Sequence, residues 1–235
     1  MTEKEKIEMD IADMIIERPY GFRLDSRQFY LYPVTLGKTY LLARLVSELG
    51  INEDFVKLNP YAESLRLCSE KKDIVCRLIT YHTLNKKEDL FDTRKVSSRQ
   101  KFFLKNLSLD DMAQLLIILL TKTDINIYLT HFGIDKEQAR LKKALAAKDK
   151  SSSLSFGGKC AYGNLFSPLL EKYGWSFEYL IWGISYDNLK MLSADAVTSV
   201  YLSKEEMRKA NLSNEEIINA DDPSNTDKIM SMDWS

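Results

Sequence analysis

The sequence predicts a mainly α-helical protein with a small N-terminal β-hairpin, that is, a multi-helical α+β chain. Glycine and proline are scarce, at 9 and 5 of 235 residues, so there are few of the tight turns that a many-stranded β protein needs. The long segments are filled with Leu, Lys, Glu, Ala and Met, which favour helix. One region, residues 20–32, is instead rich in alternating aromatic residues, as strands are.

The N-terminal region is predicted to form a helix followed by the hairpin. Apolar residues recur at helical spacing over residues 4–17. Pro19 ends this helix, because a proline disfavours helical geometry in the residue before it. Residues 20–24 and 28–32 are expected to pair as strands around the loop Asp25-Ser26-Arg27.

Helical periodicity covers most of the remaining chain. One helix starts at Leu36 and ends at Gly50, a residue suited to the left-handed C-cap. Another starts after Ser108, whose hydroxyl caps it while the acids that follow suit the positive end of the helix dipole. Further helices are predicted at about residues 70–83, 135–147 and 185–202.

Shifts in composition predict the domain organisation. Residues 1–148 would form the hairpin and a helical domain, and residues 149–163, rich in serine and glycine, a linker. Residues 164–218 would form an aromatic-rich helical module. Residues 219–235 lack hydrophobic periodicity and are predicted to be a disordered tail.

Charge and cysteine content limit the classes of partner. The formal net charge is −1, whereas a dedicated nucleic-acid binder usually has a basic excess. The basic stretch 86–105 is interpreted as a solvated helix face. Cysteines 68, 76 and 160 are too few and too scattered for a disulfide framework, which favours a reducing compartment. The longest uncharged apolar stretch, Met112–Thr121, is about half of what a membrane span needs. We therefore expect a cytoplasmic protein without membrane contact.

Two glycine-containing segments could bind phosphate. Gly37-Lys38-Thr39 resembles the end of a phosphate-binding loop, but Tyr32 stands where that motif needs its first glycine. We interpret it as a strand-to-helix turn in which Lys38 is solvated. The segment Ser155–Lys159 is interpreted as a hinge, since no strand precedes it.

The remaining residues that could support catalysis are sparse. His82 and His131 are the two histidines of the chain, and neither has metal-ligand spacing to a cysteine. We predict each to lie at a helix end or to be half-buried. The sequence therefore predicts no catalytic, cofactor-binding or metal-binding residue and no cofactor, and we expect the chain not to be an enzyme.

The most unusual feature is the aromatic segment from Tyr173 to Tyr186. Large aromatic side chains dominate interface energies when they anchor in a partner's pocket. They can equally hold together a small C-terminal core, and the residue pattern leaves both interpretations open. On the first interpretation the partner-binding residues are Trp175, Phe177, Tyr179, Trp182, Tyr186, Leu189 and Leu192.

Two segments carry a resemblance to a known family. Tyr173–Val197 reads YGWSFEYLIWGISYDNLKMLSADAV, which resembles the end of tail assembly chaperones of tailed phages and prophages, where a YGW turn precedes WGISxxNLxxxxxDA. Phe29–Leu42 reads FYLYPVTLGKTYLL, which is similar to their N-terminal region, where a strand ends in a P-x-T-L-G turn before the first helix. Together the segments cover less than about a fifth of the chain.

The resemblance implies a non-enzymatic chaperone of the host cytoplasm. Such proteins bind the long tape measure protein before tail-tube subunits polymerise around it, and they are generally absent from the mature virion. Other tail proteins and a second copy of the chain are further candidate partners. Two alternatives stay open: a helical adaptor or regulatory protein that binds a protein partner through the same aromatic segment, and a nucleic-acid-associated protein that uses residues 86–105 and 136–150.

Overall fold

The computed structural model describes residues 2–121, 125–149, 159–196 and 199–212. Within these ranges the chain is mainly α-helical, with an antiparallel hairpin of strands β1 (Tyr20–Leu24) and β2 (Arg27–Leu31) near the N-terminus. This confirms the predicted fold class. The helices are α1 Glu3–Ile15, α2 Leu36–Leu49, α3 Glu53–Leu58, α4 Pro60–Glu70, α5 Lys72–His82, α6 Lys87–Phe91, α7 Thr93–Asn106, α8 Leu109–Leu120, α9 Ile125–His131, α10 Ile134–Ala147, α11 Ala161–Tyr173, α12 Tyr186–Ala194 and α13 Lys204–Lys209, with a π-helical turn at Tyr179–Gly183.

The hairpin loop is shorter than the sequence suggested. Leu24 pairs with Arg27, so the loop consists of Asp25 and Ser26, and the assignment of Arg27 to the loop is wrong. Asp25 has a φ of 57°, a left-handed conformation that aspartate tolerates better than most residues. A positive φ in the loop matches the twist of the two strands and lets the chain reverse direction at once.

Side-chain caps define the ends of two predicted helices. The Thr35 side chain accepts a hydrogen bond from the Lys38 backbone N–H at the start of α2, and Gly50, with a φ of 60°, ends it. At α8, Ser108 and Asp111 form a reciprocal capping box. These termini confirm the predicted boundaries, because local hydrogen bonds satisfy backbone groups that a helix end leaves free.

The last predicted helix is shorter than expected. Helix α12 ends at Ala194, and residues 199–203 are not helical, so the prediction of a helix extending to about residue 202 is wrong. Ser203 has an extended backbone, and its side chain accepts a hydrogen bond from the Glu206 N–H to begin α13.

The main core lies where α2, α4, α5, α7 and α8 meet beneath the hairpin. Helix α4 packs along α8, and α5 packs against both α2 and α7. Side chains from these helices are fully buried, among them Leu67, Ile79, Phe103, Met112 and Leu116. The stripe predicted around Met112 therefore faces the interior.

One apolar stretch passes a length and composition test for crossing a membrane. Leu109–His131 is long and apolar enough to do so, a test that core helices of soluble proteins also pass. Its first part, α8, is packed against α4 and α5, and Met112, Ala113, Leu115 and Leu116 are buried there. The apolar face of α8 is thus covered by protein.

The chain divides into two compact units. The larger one comprises Met1–Tyr128 with Gly158–Ala194, and the smaller one comprises Leu129–Gly157 with Asp195–Ser235. This grouping differs from the predicted division at residues 149–163, because the aromatic segment belongs with the N-terminal helices. Residues 150–158 of the predicted linker and the whole predicted tail, 219–235, lie outside the described residues.

The smaller unit contains α10 and α13, which pack against each other. The Asp149 backbone N–H donates to Glu206 Oε1 at 2.6 Å. Backbone donors from Asp149 and Ser203 hold the pKa of Glu206 below its ordinary value, because they favour the charged carboxylate.

Candidate functional site

The backbone of the aromatic segment is joined to the region just before α2. Thr35 and Ser185 form an antiparallel bridge, and the Tyr186 N–H donates to the Val34 carbonyl at 2.7 Å. The Ser185 N–H also donates to Glu17 Oε1 at 2.7 Å. These bonds bring together the two segments that carry the family resemblance, although they lie far apart in sequence.

Gly37 is required where the first turn of α2 meets the π-helical turn. A Cβ built at this position would lie 2.8 Å from Ile181 Cγ2 and 2.8 Å from two ring carbons of Trp182. Real Cβ atoms do not approach other heavy atoms so closely, so only glycine fits without a shift. The glycine of Gly37-Lys38-Thr39 therefore serves close packing.

The burial of the first turn of α2 corrects the interpretation of Lys38. Its side chain is 1% exposed, so the prediction that Lys38 is solvated is wrong. The first turn of α2, Leu36–Lys38, is buried within the larger unit, and the lysine is carried into the interior with it. Lys38 N is already bonded to Thr35 Oγ1 as part of the helix cap.

Replacing Gly37 by alanine is expected to destabilise the larger unit by about 1–3 kcal/mol, because the added methyl group overpacks the contact with Ile181 and Trp182. Urea denaturation followed by circular dichroism measures the loss. Gly163→Ala is the control, since its Cβ would meet Cys160 Cβ at an ordinary 3.8 Å. Equal stability of the two variants would contradict the proposed packing role.

The seven predicted partner-binding residues fall into different environments. Leu189 is buried, and Trp175, Trp182 and Tyr186 are half-buried. Phe177 is 58% exposed, Tyr179 44% and Leu192 36%. The aromatic segment therefore contributes both to a core and to the surface, and its exposed members are the ones accessible to a partner.

The buried part of the segment forms a second, smaller core. It consists of Leu36, Phe166, Leu169, Leu180, Ile184 and Leu189. The Tyr173 and Trp175 rings stack on each other with their centroids 4.7 Å apart. Both residues pack against this second core. Trp182 instead packs edge-on against Phe91 at 5.8 Å, which ties the segment to α6.

The π-helical turn Tyr179–Gly183 sets the direction of the exposed aromatic residues. A Cβ on Gly183 would overlap the Tyr179 ring, so this glycine lets the ring fold back over the turn. Tyr179 also meets Trp175 edge-to-face at 5.3 Å. Its ring is thereby held in one orientation at the surface.

An open apolar groove of about 770 Å³ lies between α2, α11 and the segment 176–183, and we call it the α2–α11 groove. Its walls are almost entirely apolar, and Phe177 forms one rim while packing edge-to-face on Phe166 at 5.7 Å. The lining residues are Tyr40, Gly163, Phe166, Ser167, Leu170, Glu171, Phe177 and Ile181.

Of the residues that line this groove, Phe177 was predicted from the sequence and the others were not. On α11 the missed residues follow a helical stripe, Gly163, Phe166, Ser167 and Leu170, with the spacing i, i+3, i+4, i+7 that marks one helix face. That stripe was the available signal. Tyr40 on α2 carried no comparable signal, because its proximity depends on the bridge between Thr35 and Ser185.

The groove contains little that could perform chemistry. Glu171 is the titratable carboxylate in its lining, and within the described ranges no group of three His, Cys, Asp or Glu side chains could hold a metal ion. His82 is the last residue of α5 and is buried, and His131 is the last residue of α9. Their helix-end positions are as predicted.

The described cysteines of the core are not activated. Burial raises the pKa of Cys68 to about 12 and that of Cys76 to about 11. Both thiols therefore stay protonated at neutral pH, and a protonated thiol is a poor nucleophile.

Comparisons with known proteins found no relative. No family model matches the chain, no curated protein matches it, and no solved structure matches it.

Proposed function

We propose that the chain is a non-enzymatic chaperone of phage tail assembly and that it binds the tape measure protein through the α2–α11 groove. One observation carries the proposal. Both segments that resemble tail assembly chaperones line this groove, since Tyr40 comes from the first and Phe177 and Ile181 come from the second.

The chemistry of the groove suits an amphipathic helix. Its walls are apolar, and the rings of Tyr40 and Phe177 in its lining are exposed. A helix placed between them would bury apolar side chains at positions i, i+3, i+4 and i+7, the usual pattern of helix-in-groove recognition. A tape measure protein is expected to supply long helical stretches with such faces.

Many weak contacts would suffice for a client of this kind. A long client offers repeated segments, so several copies of the chain could coat it with modest affinity at each site. Coating would cover apolar surface that otherwise drives aggregation. The client would be released when tail-tube subunits compete for it.

The experiment is co-expression with the tape measure protein encoded in the same genome. Phe177→Asp is expected to reduce the soluble client by about fivefold or more, because it places a charge in the apolar groove. Phe132→Asp, which alters an equally exposed phenylalanine outside the groove, is the control and is expected to leave solubility within about twofold.

Trp182→Ala and Leu189→Ala are unsuitable for this test. Trp182 packs against the main core and Leu189 is buried in the second one, so either change would disturb folding as well as binding. A folded Phe177→Asp protein that keeps the client as soluble as the unmodified chain does would overturn the assignment of the groove. A genome without a tape measure gene near this one would overturn the family proposal.

A further inference from the structure

A second groove lies on the larger unit, between strand β2 and helix α7, and we call it the β2–α7 groove. Its volume is about 580 Å³. The charged side chains in its lining are Arg27, Lys95 and Arg99, and no carboxylate lines it among the described residues. It is therefore a concave surface of one charge sign on a chain whose net charge is −1.

Both guanidinium groups lie over aromatic rings, and that of Arg99 is also anchored by a hydrogen bond. Arg27 Cζ lies 4.8 Å from the centroid of the Phe102 ring. Arg99 Cζ lies 5.9 Å from the Phe29 centroid, and Arg99 Nη1 donates to the Thr83 carbonyl at 2.7 Å. Stacked, anchored guanidinium groups lose little entropy when a ligand binds, and their free N–H edges match carboxylate geometry.

The charges in the groove are only partly neutralised. Lys95 pairs with Asp89 at 2.6 Å. In the part of the chain that the structure describes, neither Arg27 nor Arg99 forms an ion pair. Burial lowers the pKa of Arg99 from its ordinary value, but a guanidinium still carries its charge at neutral pH. Asp89 also lies close enough to interact electrostatically with Arg99. The groove thus keeps a net positive charge, and neither guanidinium group has a carboxylate in ion-pair contact.

The aromatic rings below these cations are not available for stacking with bases. The Phe29 ring contacts those of Phe22 at 5.6 Å, Phe102 at 5.7 Å and Phe103 at 5.0 Å. Phe102 is covered by Arg27. Single-stranded nucleic acid is normally held by open aromatic faces together with basic charge. These cations have no open aromatic face beside them, which favours an acidic protein segment over single-stranded nucleic acid.

We infer that the β2–α7 groove binds an acidic segment of a protein partner, whose carboxylates pair with Arg27 and Arg99. The groove continues into an adjoining cavity of about 340 Å³ that shares Gln28, Phe29 and Arg99 with it. That cavity is also lined by Lys86 and Asp89, so the acidic side chains are expected to bind in the β2–α7 groove itself. The inference is independent of the α2–α11 groove and of the client proposed for it.

The test uses a short fluorescein-labelled peptide in which Glu alternates with Leu, and a matched peptide in which Gln replaces every Glu. Fluorescence anisotropy with the full chain is expected to show binding of the Glu peptide, with at least about tenfold weaker binding of the Gln peptide. Arg27→Gln is expected to raise the Kd for the Glu peptide by about tenfold. Arg27 is exposed, so the fold should be retained.

Lys101→Gln is the control, because Lys101 is an exposed lysine of the same helix outside the groove lining. It should change the Kd by less than about twofold, because salt largely screens an exposed charge that lies outside the groove. Equal weakening by Lys101→Gln, or no binding of the Glu peptide at low salt, would overturn the inference. Tighter binding of a single-stranded oligonucleotide at the same residues would also overturn it.

Discussion

Replacing Phe103 by alanine is expected to lower the free energy of unfolding by about 3–5 kcal/mol. Phe103 lies on α7 and is 0% exposed. Its ring meets Phe29 edge-on at 5.0 Å and Phe22 at 6.2 Å, so it joins the helical core to the hairpin. Truncation would remove the buried area of the ring and leave a cavity between helix α7 and the hairpin.

Urea denaturation of the full chain measures this loss. Phe177→Ala is the matched control, because the same chemical change at a ring that is 58% exposed should cost about 1 kcal/mol. The hairpin should loosen when Phe103 is truncated, so binding of the acidic peptide at Arg27 should weaken as well. Comparable losses of stability in the two variants would contradict the packing of Phe103 between α7 and the hairpin.

Replacing Glu63 by glutamine is expected to lower the free energy of unfolding at neutral pH by about 2–4 kcal/mol. The Glu63 side chain is 0% exposed. Its Oε1 accepts from Arg66 Nη2 at 2.6 Å and from the Asn52 N–H at 2.9 Å, and its Oε2 accepts from Arg66 Nε at 2.8 Å. A glutamine NH₂ would point a donor at one of these donors. It would also remove the buried carboxylate of the ion pair and leave Arg66 paired with the exposed Glu70 alone.

The pH dependence of stability provides a second measurement on Glu63. Hydrogen bonds from Arg66 hold the pKa of Glu63 below its ordinary value of 4.5. A carboxylate whose pKa is lowered by folding stabilises the protein above its unfolded pKa, and this contribution is lost as the pH falls through the folded value. The unmodified chain should therefore lose more stability between about pH 6 and about pH 3 than Glu63→Gln does.

Glu70→Gln is the control for both measurements. Glu70 also pairs with Arg66, at 2.6 Å, but its side chain is 52% exposed. Solvent screens such a pair, so its loss should cost about 1 kcal/mol or less. If Glu70→Gln were as destabilising as Glu63→Gln, burial would not be the cause of the effect.

Helix ends were predictable where one local hydrogen bond or one backbone conformation decides them. Ser108 and Asp111 cap α8, and Gly50 ends α2 in the left-handed region. The extent of α12 was not predictable from its apolar stripe. An apolar stripe indicates which face a helix would bury, but it does not fix the residue at which the helix ends, here Ala194.

The candidate site was predictable in part. The density of aromatic residues drew attention to Phe177 and Tyr179, which the structure places at the surface. The same density did not separate them from Leu189, which is buried. Exposure depends on which neighbours cover a side chain, and those neighbours come from other parts of the chain.

Local signals in the sequence accounted for the mainly helical class, the hairpin and several helix starts, because each depends on residues within a few positions of one another. The tertiary structure alone decided that the region before α2 pairs with Ser185 and Tyr186, and that Gly37 lies against Trp182. It also placed Lys38 in the interior and assembled both grooves. These features arise from contacts between distant segments, and the energy of such contacts depends on shape complementarity that no local pattern records.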